Sequence, residues 1–372
     1  MNKELLYQVA LTLIPNIGTV QAKTLLQHYE PAEIFKAKRT DLERIEGIGG
    51  FKANCIKGFT DFKTAEAEIA FIEKYNIQPL FITDPAYPKR LLNCYDSPTL
   101  LYFKGNADLN ASKIIAVIGT RNHTDYGRQL TEKLIDELAE LPITVISGLA
   151  YGIDAIAHKS SLKNNLPTIG VLAHGLDQVY PLQNAAMAKD MVKQNGGLLT
   201  EFRSYTTPDK HNFPTRNRIV AGMSDATIVV ETGIKGGSMI TAELANGYNK
   251  DVFAFPGKVT DSKSAGCNYL IKNNKAVLLT EAKELVELMG WEEEIPRFAR
   301  DKQNVKKQKE LFIELSPEEK MIINILREKE SAHIDEINLQ SGLSSSGVAA
   351  AILSLELQNV VVSLPGKLYL LD

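Results

Sequence analysis

The residues best suited to chemistry lie between Arg203 and Arg218, where Arg203, Lys210, Arg216 and Arg218 stand against a single acid, Asp209, with His211 and Phe213 interleaved. Cationic side chains pair with phosphates and an aromatic face stacks on an unpaired base, so this is the composition of a groove for a single nucleic-acid strand. Taken alone, the run also reads as a solvated loop entering a helix that Pro214 starts. The glycine turn Gly236-Gly237-Ser238 that follows shifts the balance, because glycines at a strand end let backbone N–H groups meet an anion.

Other reactive residue types have plainer readings. His158 follows Asp154 by four residues, a spacing that orients an imidazole but more often makes a local hydrogen bond at a helix start. His174 in LAHG is either a phosphate neighbour or a strand-end residue. Cys267 lacks a fixed histidine partner for a thiol nucleophile. Glu243 in GGSMITAE is either an acid or base, or simply an acid in a helix's first turn. No catalytic residue is assigned. Cys55, Cys94 and Cys267 show neither metal-ligand spacing nor a disulfide framework, so no metal site is expected.

These residues must be positioned by strands. The runs IIAVIG, TVISG, TIGVLAHG, GLLTEF, ATIVVET and KDVFAFPG are short and apolar and alternate with helical patterns such as YGRQLTEKLIDELAEL. That rhythm implies a Rossmann-like α/β domain, a parallel sheet covered on both faces. Ligands then sit at strand ends, which here hold Gly119-Thr120-Arg121, Ser147-Gly148, His174-Gly175 and the Gly236-Gly237-Ser238 turn. After Gly119 the next glycine is Gly127, so GxGxxG is absent, as is GxxxxGK[ST]. Neither a dinucleotide nor a nucleoside triphosphate is expected, and no cofactor is assigned.

The flanking segments are helical. In residues 1–60, Ile14-Pro15-Asn16-Ile17-Gly18 and Ile45-Glu46-Gly47-Ile48-Gly49-Gly50 each sit between helical patterns, as in helix-hairpin-helix motifs. They either present free N–H groups to DNA or only close turns. Residues 61–290 hold the Rossmann-like domain with an N-terminal extension, and 291–315 form a charged linker. Residues 316–372 carry three helical patterns and a β-hairpin, a winged helix. The would-be recognition helix, SSSGVAAAILSLELQNV, has no Lys or Arg and one acid, Glu356, which favours protein interaction or regulation over duplex reading.

The 372 residues are 44% hydrophobic with formal net charge −3, enough for a large core but unlike a protein that coats duplex DNA by charge alone. Without an apolar run of spanning length or a signal peptide, a cytoplasmic location and no membrane partner are expected.

The strings AVIGTRNHTDYG, VISGLAYGIDAIAH, FPTRNRIVAGMSD, ETGIKGGSMITAE and DVFAFPG, in this order, resemble the DNA-processing protein A family, also called DprA or Smf. The resemblance covers nearly the whole chain. It implies a non-catalytic protein that binds incoming single-stranded DNA in natural transformation, forms a homodimer through its Rossmann-like domain and helps load the RecA recombinase. Carried over by motif, Arg121, Lys210, Phe213, Arg216 and Arg218 would contact DNA, with Gly119, Gly236, Gly237 and Ser238 supplying backbone or hydroxyl groups. Ile271, Lys272, Asn273 and Val277 would belong to the dimer or recombinase interface. The alternative is an enzyme, since the GGSMITAE turn resembles the GGxGT turn of lysine-decarboxylase-like nucleotide phosphoribohydrolases. Here the threonine lies one residue further from the glycine pair.

Overall fold

In the computed structural model, residues 3–291, 315–329, 331–358 and 360–371 are described. The stretch expected as a linker, 291–315, lies outside them except at its two end residues. Contacts divide the chain into two compact units, Met1–Thr280 and Glu281–Asp372.

The first unit is organised by nine strands. They are β1 (Gln78–Phe81), β2 (Leu100–Gly105), β3 (Lys113–Ile118), β4 (Ile143–Ser147), β5 (Thr168–Val171), β6 (Gly197–Thr200), β7 (Ala226–Val229), β8 (Asp251–Ala254) and β9 (Val277–Leu278), in the order β1-β2-β6-β5-β4-β3-β7-β8-β9. β4 to β7 are buried at every residue, as their largely apolar runs require when helices cover both faces. From β6 to β9 all pairings are parallel. At the other edge β2 joins β6, and β1 joins β2, antiparallel. The sheet is therefore mixed, because the extension before the Rossmann-like core adds two strands by hairpin pairing. β3 continues to β4 on one side and is flanked by β7 on the other, which makes a topological switch point beside its carboxyl end.

Six helices between Lys3 and Lys74 precede the sheet. Both glycine turns join helices, the first leading into Thr19–Leu26 and the second into Gly49–Lys57. Their apolar residues share one core with the first two strands, in which Val9, Leu25, Ile34, Ile56 and Ile69 pack with Phe81 and Tyr102. A buried carboxylate adds a tie: Glu68, on Phe62–Lys74, accepts from both the N–H and the hydroxyl of Ser204.

The second unit contains helices Pro317–Lys329, Ile334–Ser341 and Ser345–Leu357, with strands β10 (Ser331–His333), β11 (Val361–Leu364) and β12 (Leu368–Leu371) ordered β10-β12-β11. It is a winged helix with one short strand beyond the expected hairpin. Ser316 and Glu319 form a reciprocal capping box: the Ser316 N–H donates to the Glu319 carboxylate at 2.6 Å, and the Glu319 N–H donates to the Ser316 hydroxyl at 3.1 Å.

Candidate nucleic-acid interface

A cleft of about 840 Å³ opens at the carboxyl ends of β3, β4 and β7, where the topology places it. Gly119, Thr120 and Arg121 line one side. The loop is held at Thr120, whose N–H donates to the Glu231 carbonyl at 2.6 Å and whose carbonyl accepts from Ile153 N–H at 3.2 Å. Gly119 passes so close to the next helix that a Cβ would lie 2.5 Å from Ile153 Cγ1. Below Arg121, the buried Glu231 carboxylate accepts from the Thr124 N–H and hydroxyl, both at 2.8 Å, fixing the start of helix Asp125–Glu137.

The facing wall is helix Asn212–Met223, which runs from the basic aromatic segment. Phe213, Arg216, Asn217 and Val220 line the cleft at helical spacing, one face of the helix. The Arg121 guanidinium carbon lies 5.2 Å from the centroid of the Phe213 ring, a cation–π distance. Lys210, exposed, and Asp209 precede the helix and also line the cleft. Gly236, Gly237 and Ser238 close the third side at the start of helix Gly237–Gly247. The Gly236 N–H donates to the Gly233 carbonyl at 2.9 Å and the Met239 N–H to the Gly236 carbonyl at 3.1 Å, so the Gly237 and Ser238 N–H groups are those the helix start can offer.

The two arginines of the FPTRNR string lie differently from a pair of open phosphate ligands. Arg216 is only 4% exposed, and its Nη1 donates to the carbonyls of Gly148 and Val171, bridging the ends of β4 and β5. A Cβ on Gly148 would overlap that guanidinium, so glycine is needed there. Burial pulls Arg216 down to about 10, with Asp154 opposing, so it stays charged at neutral pH. Burial pushes the Asp154 carboxyl up, opposed first by Arg216 and then by the N–H groups of Ala150 and Gly148. Arg216 thus floors the cleft. Arg218 is outside the lining: it donates to the Asp96 carbonyl and pairs with Glu201 inside the protein. Its expected place among cleft-facing cations is corrected by its position on another face of the helix.

Ser238 is also engaged, its hydroxyl donating to Thr232 Oγ1 at 2.7 Å, so the turn offers amides rather than this proton. His158 is fully buried, with Nδ1 2.7 Å from Thr168 Oγ1, and burial lowers it to about 3. His174 is buried and neutral, its Nδ1–H directed at the Gly175 carbonyl at 2.9 Å and its Nε2 accepting from Tyr180 N–H at 3.2 Å. Burial raises the Cys267 thiol to about 12. Glu243 lies past the first helical turn, outside the cleft lining, paired with Lys275 at 2.7 Å.

Sequence reasoning missed Tyr180. It lines the cleft, remains 46% exposed, and its ring lies 6.2 Å from that of Phe213. The available signal was an aromatic in the loop that leaves a strand end, LAHGLDQVYP.

Ile271, Lys272, Asn273 and Val277 lie away from the cleft lining. Ile271 packs partly against the sheet core, Lys272 and Asn273 are exposed, and Asn273 donates to the Tyr269 carbonyl at 2.8 Å. Val277 and Leu278 are 48% and 44% exposed on β9, the sheet's edge strand. Among the described residues no helix is long and apolar enough to cross a membrane, and no His, Cys, Asp and Glu group is arranged to hold a metal.

A family model described as DNA recombination-mediator protein A matches residues 78–290, and one described as the DprA winged helix domain matches residues 309–367. The chain is 34% identical over 401 residues to Protein Smf of Synechocystis, covering 99% of each chain. It is similar to the structure of DNA processing protein A from Streptococcus pneumoniae, with a TM-score of 0.63 and 31% identity over 77% of this chain and 97% of that one. It is also similar to DNA processing protein A of Helicobacter pylori, a structure described for its single-stranded DNA binding mode, with a TM-score of 0.52 and 32% identity over 57% of this chain and 94% of that one.

Proposed function

The chain belongs to the DNA-processing protein A (DprA/Smf) family, and on that premise we propose that its cleft binds single-stranded DNA and delivers it to the RecA recombinase during natural transformation. The observation that carries the reading is the Arg121–Phe213 pair at the cleft. A cation for a phosphate and a ring for an unpaired base stand 5.2 Å apart, beside the open amides of the glycine turn. Arg121 and Lys210 take phosphates, Phe213 stacks, and Gly119, Gly237 and the Ser238 amide serve backbone oxygens, while Gly236, its own N–H bonded to the Gly233 carbonyl at 2.9 Å, shapes the turn. Arg216 holds the floor on which they stand.

Binding of single strands and of duplex, measured at one stated salt concentration, tests this. Single strands should bind far more tightly, because a paired base cannot reach Phe213, and Phe213→Ala should weaken binding by about 1 to 3 kcal/mol. Equal affinity for both forms sinks the reading. Release of free base from nucleoside monophosphates would instead support the enzyme alternative.

Assembly is proposed at β9, where exposed Val277 and Leu278 can repeat across a two-fold axis, with Lys272 and Asn273 at the rim and the partly packed Ile271 behind them. A charge there meets its own copy, so Val277→Glu should yield folded monomers by light scattering and circular dichroism, with weakened recombinase loading. A dimer that survives the substitution removes β9 from the interface.

A further inference from the structure

We propose that Tyr180 and Phe213 together form a nucleobase slot, in which one unpaired base of the bound strand is held between the two rings. The inference rests on the single-strand reading of the cleft and adds a residue to it. The ring centroids are 6.2 Å apart and the planes are tilted by 49°. A flat ring between two others needs two van der Waals separations, about 7 Å in all, so a shift of about 1 Å and rotation toward parallel admit a base. Tyr180 can make that movement because its side chain is nearly half exposed.

Its backbone is held in place. The Tyr180 N–H donates to the buried His174, and its mate Nδ1–H is committed to the Gly175 carbonyl, so Nε2 remains the acceptor. Four residues on, Asn184 Nδ2 donates to the Leu149 carbonyl at 2.9 Å. An aromatic on a fixed mount loses only its own two side-chain rotations on binding. The recess behind the rings, bounded by Tyr180, Phe213 and Arg121, is about 20 Å³. That is room for about one water, so a base belongs between the rings. Arg121, packed on Phe213, then lies beside the slot where the strand's backbone must pass. Stacking uses the face that every base possesses, so the slot takes an unpaired base of any identity.

The test uses the full chain, an oligothymidine carrying one 2-aminopurine, and an abasic strand of equal length. Tyr180→Ala should weaken binding of the base-bearing strand roughly 5- to 150-fold, remove the quenching of 2-aminopurine, and leave abasic-strand binding unchanged. Tyr180→Phe should restore both affinity and quenching. Tyr180→Leu serves in the same comparison should the alanine variant lose its circular-dichroism signature. Wild-type affinity and quenching in Tyr180→Ala, beside a weakened Phe213→Ala, would overturn the slot and leave single-strand binding standing. An equal loss on the abasic strand would also overturn it, since Tyr180 would then act through its loop. Absence of any binding by the wild-type chain would remove slot and single-strand reading together.

Discussion

Two helices of nearly equal length, Asn212–Met223 in the sheet unit and Ser345–Leu357 in the winged helix, belong to arrangements suited to nucleic acid, yet they carry opposite chemistry. The first holds Phe213, Arg216 and Arg218 and follows Lys210; the second has no basic residue and exposes Leu353 and Leu357. Even in the first helix the arginines do not simply face solvent. Both are buried and bonded to the protein, while the exposed cations of the cleft, Arg121 and Lys210, come from the loops before the helices. Anion chemistry here depends on where the sheet's connections end rather than on net charge, which is negative for the chain.

The largest expected effect separates building the cleft from binding in it. Arg216→Ala leaves the buried Val171 carbonyl and the part-buried Gly148 carbonyl without this donor and Asp154 without its positive neighbour. It should destabilise the sheet unit by about 3 kcal/mol or more in denaturant unfolding. Gly148→Ala should act in the same direction, by forcing the guanidinium from its place. Full stability with weakened DNA binding in Arg216→Ala would return this arginine to the phosphate contacts.

Arg121→Ala and Lys210→Ala should do the reverse. Both side chains are exposed, so folding stability should hardly change. Single-strand affinity should fall almost equally across base sequences, and the salt slope should drop by about one unit for each lost phosphate contact. A variant with the wild-type slope would show that its residue touches no phosphate.

Much of this contrast was legible in the sequence. The strands announce themselves because a strand buried on both faces must be largely apolar, as β4 through β7 are, with the few buried hydroxyls such as Ser147 and Thr168 bonded to backbone carbonyls. The glycine turn and Arg121 follow from where strands end. Direction of side chains was harder to read. Five residues of helix rotate a side chain by about 140°, so Phe213 and Arg218 could not share a face, whereas Phe213, Arg216 and Asn217 could. Treating the basic residues as one run concealed that difference. Tyr180 was missed because its place beside Phe213 arises from a contact between a loop and a helix, at positions 33 residues apart in the chain, for which no local pattern exists. The mixed sheet was missed for a related reason, since β1 and β2 pair antiparallel with the edge at β6 instead of joining the alternating rhythm.

The smallest expected effect belongs to the winged helix. A helix that reads duplex DNA presents Arg, Lys, Asn or Gln to base edges and phosphates. In Ser345–Leu357 the exposed positions include Ser346, Ala349, Ala350, Leu353 and Leu357, a surface able to cover an apolar partner but unable to neutralise a phosphate. Removing residues 316–372 should therefore leave single-strand affinity and its salt slope almost unchanged, because neither the proposed stacking residues nor the exposed cations of the cleft are lost. Leu353→Glu, a change at an exposed position, should likewise leave the winged helix folded and DNA binding intact, while weakening any apolar contact made by this face. Titrations of the intact and shortened chains with the same single strand across several salt concentrations decide the point. A slope that falls by several units on truncation would mean that the winged helix supplies phosphate contacts from outside its recognition helix, and that the two helices differ less in function than in composition.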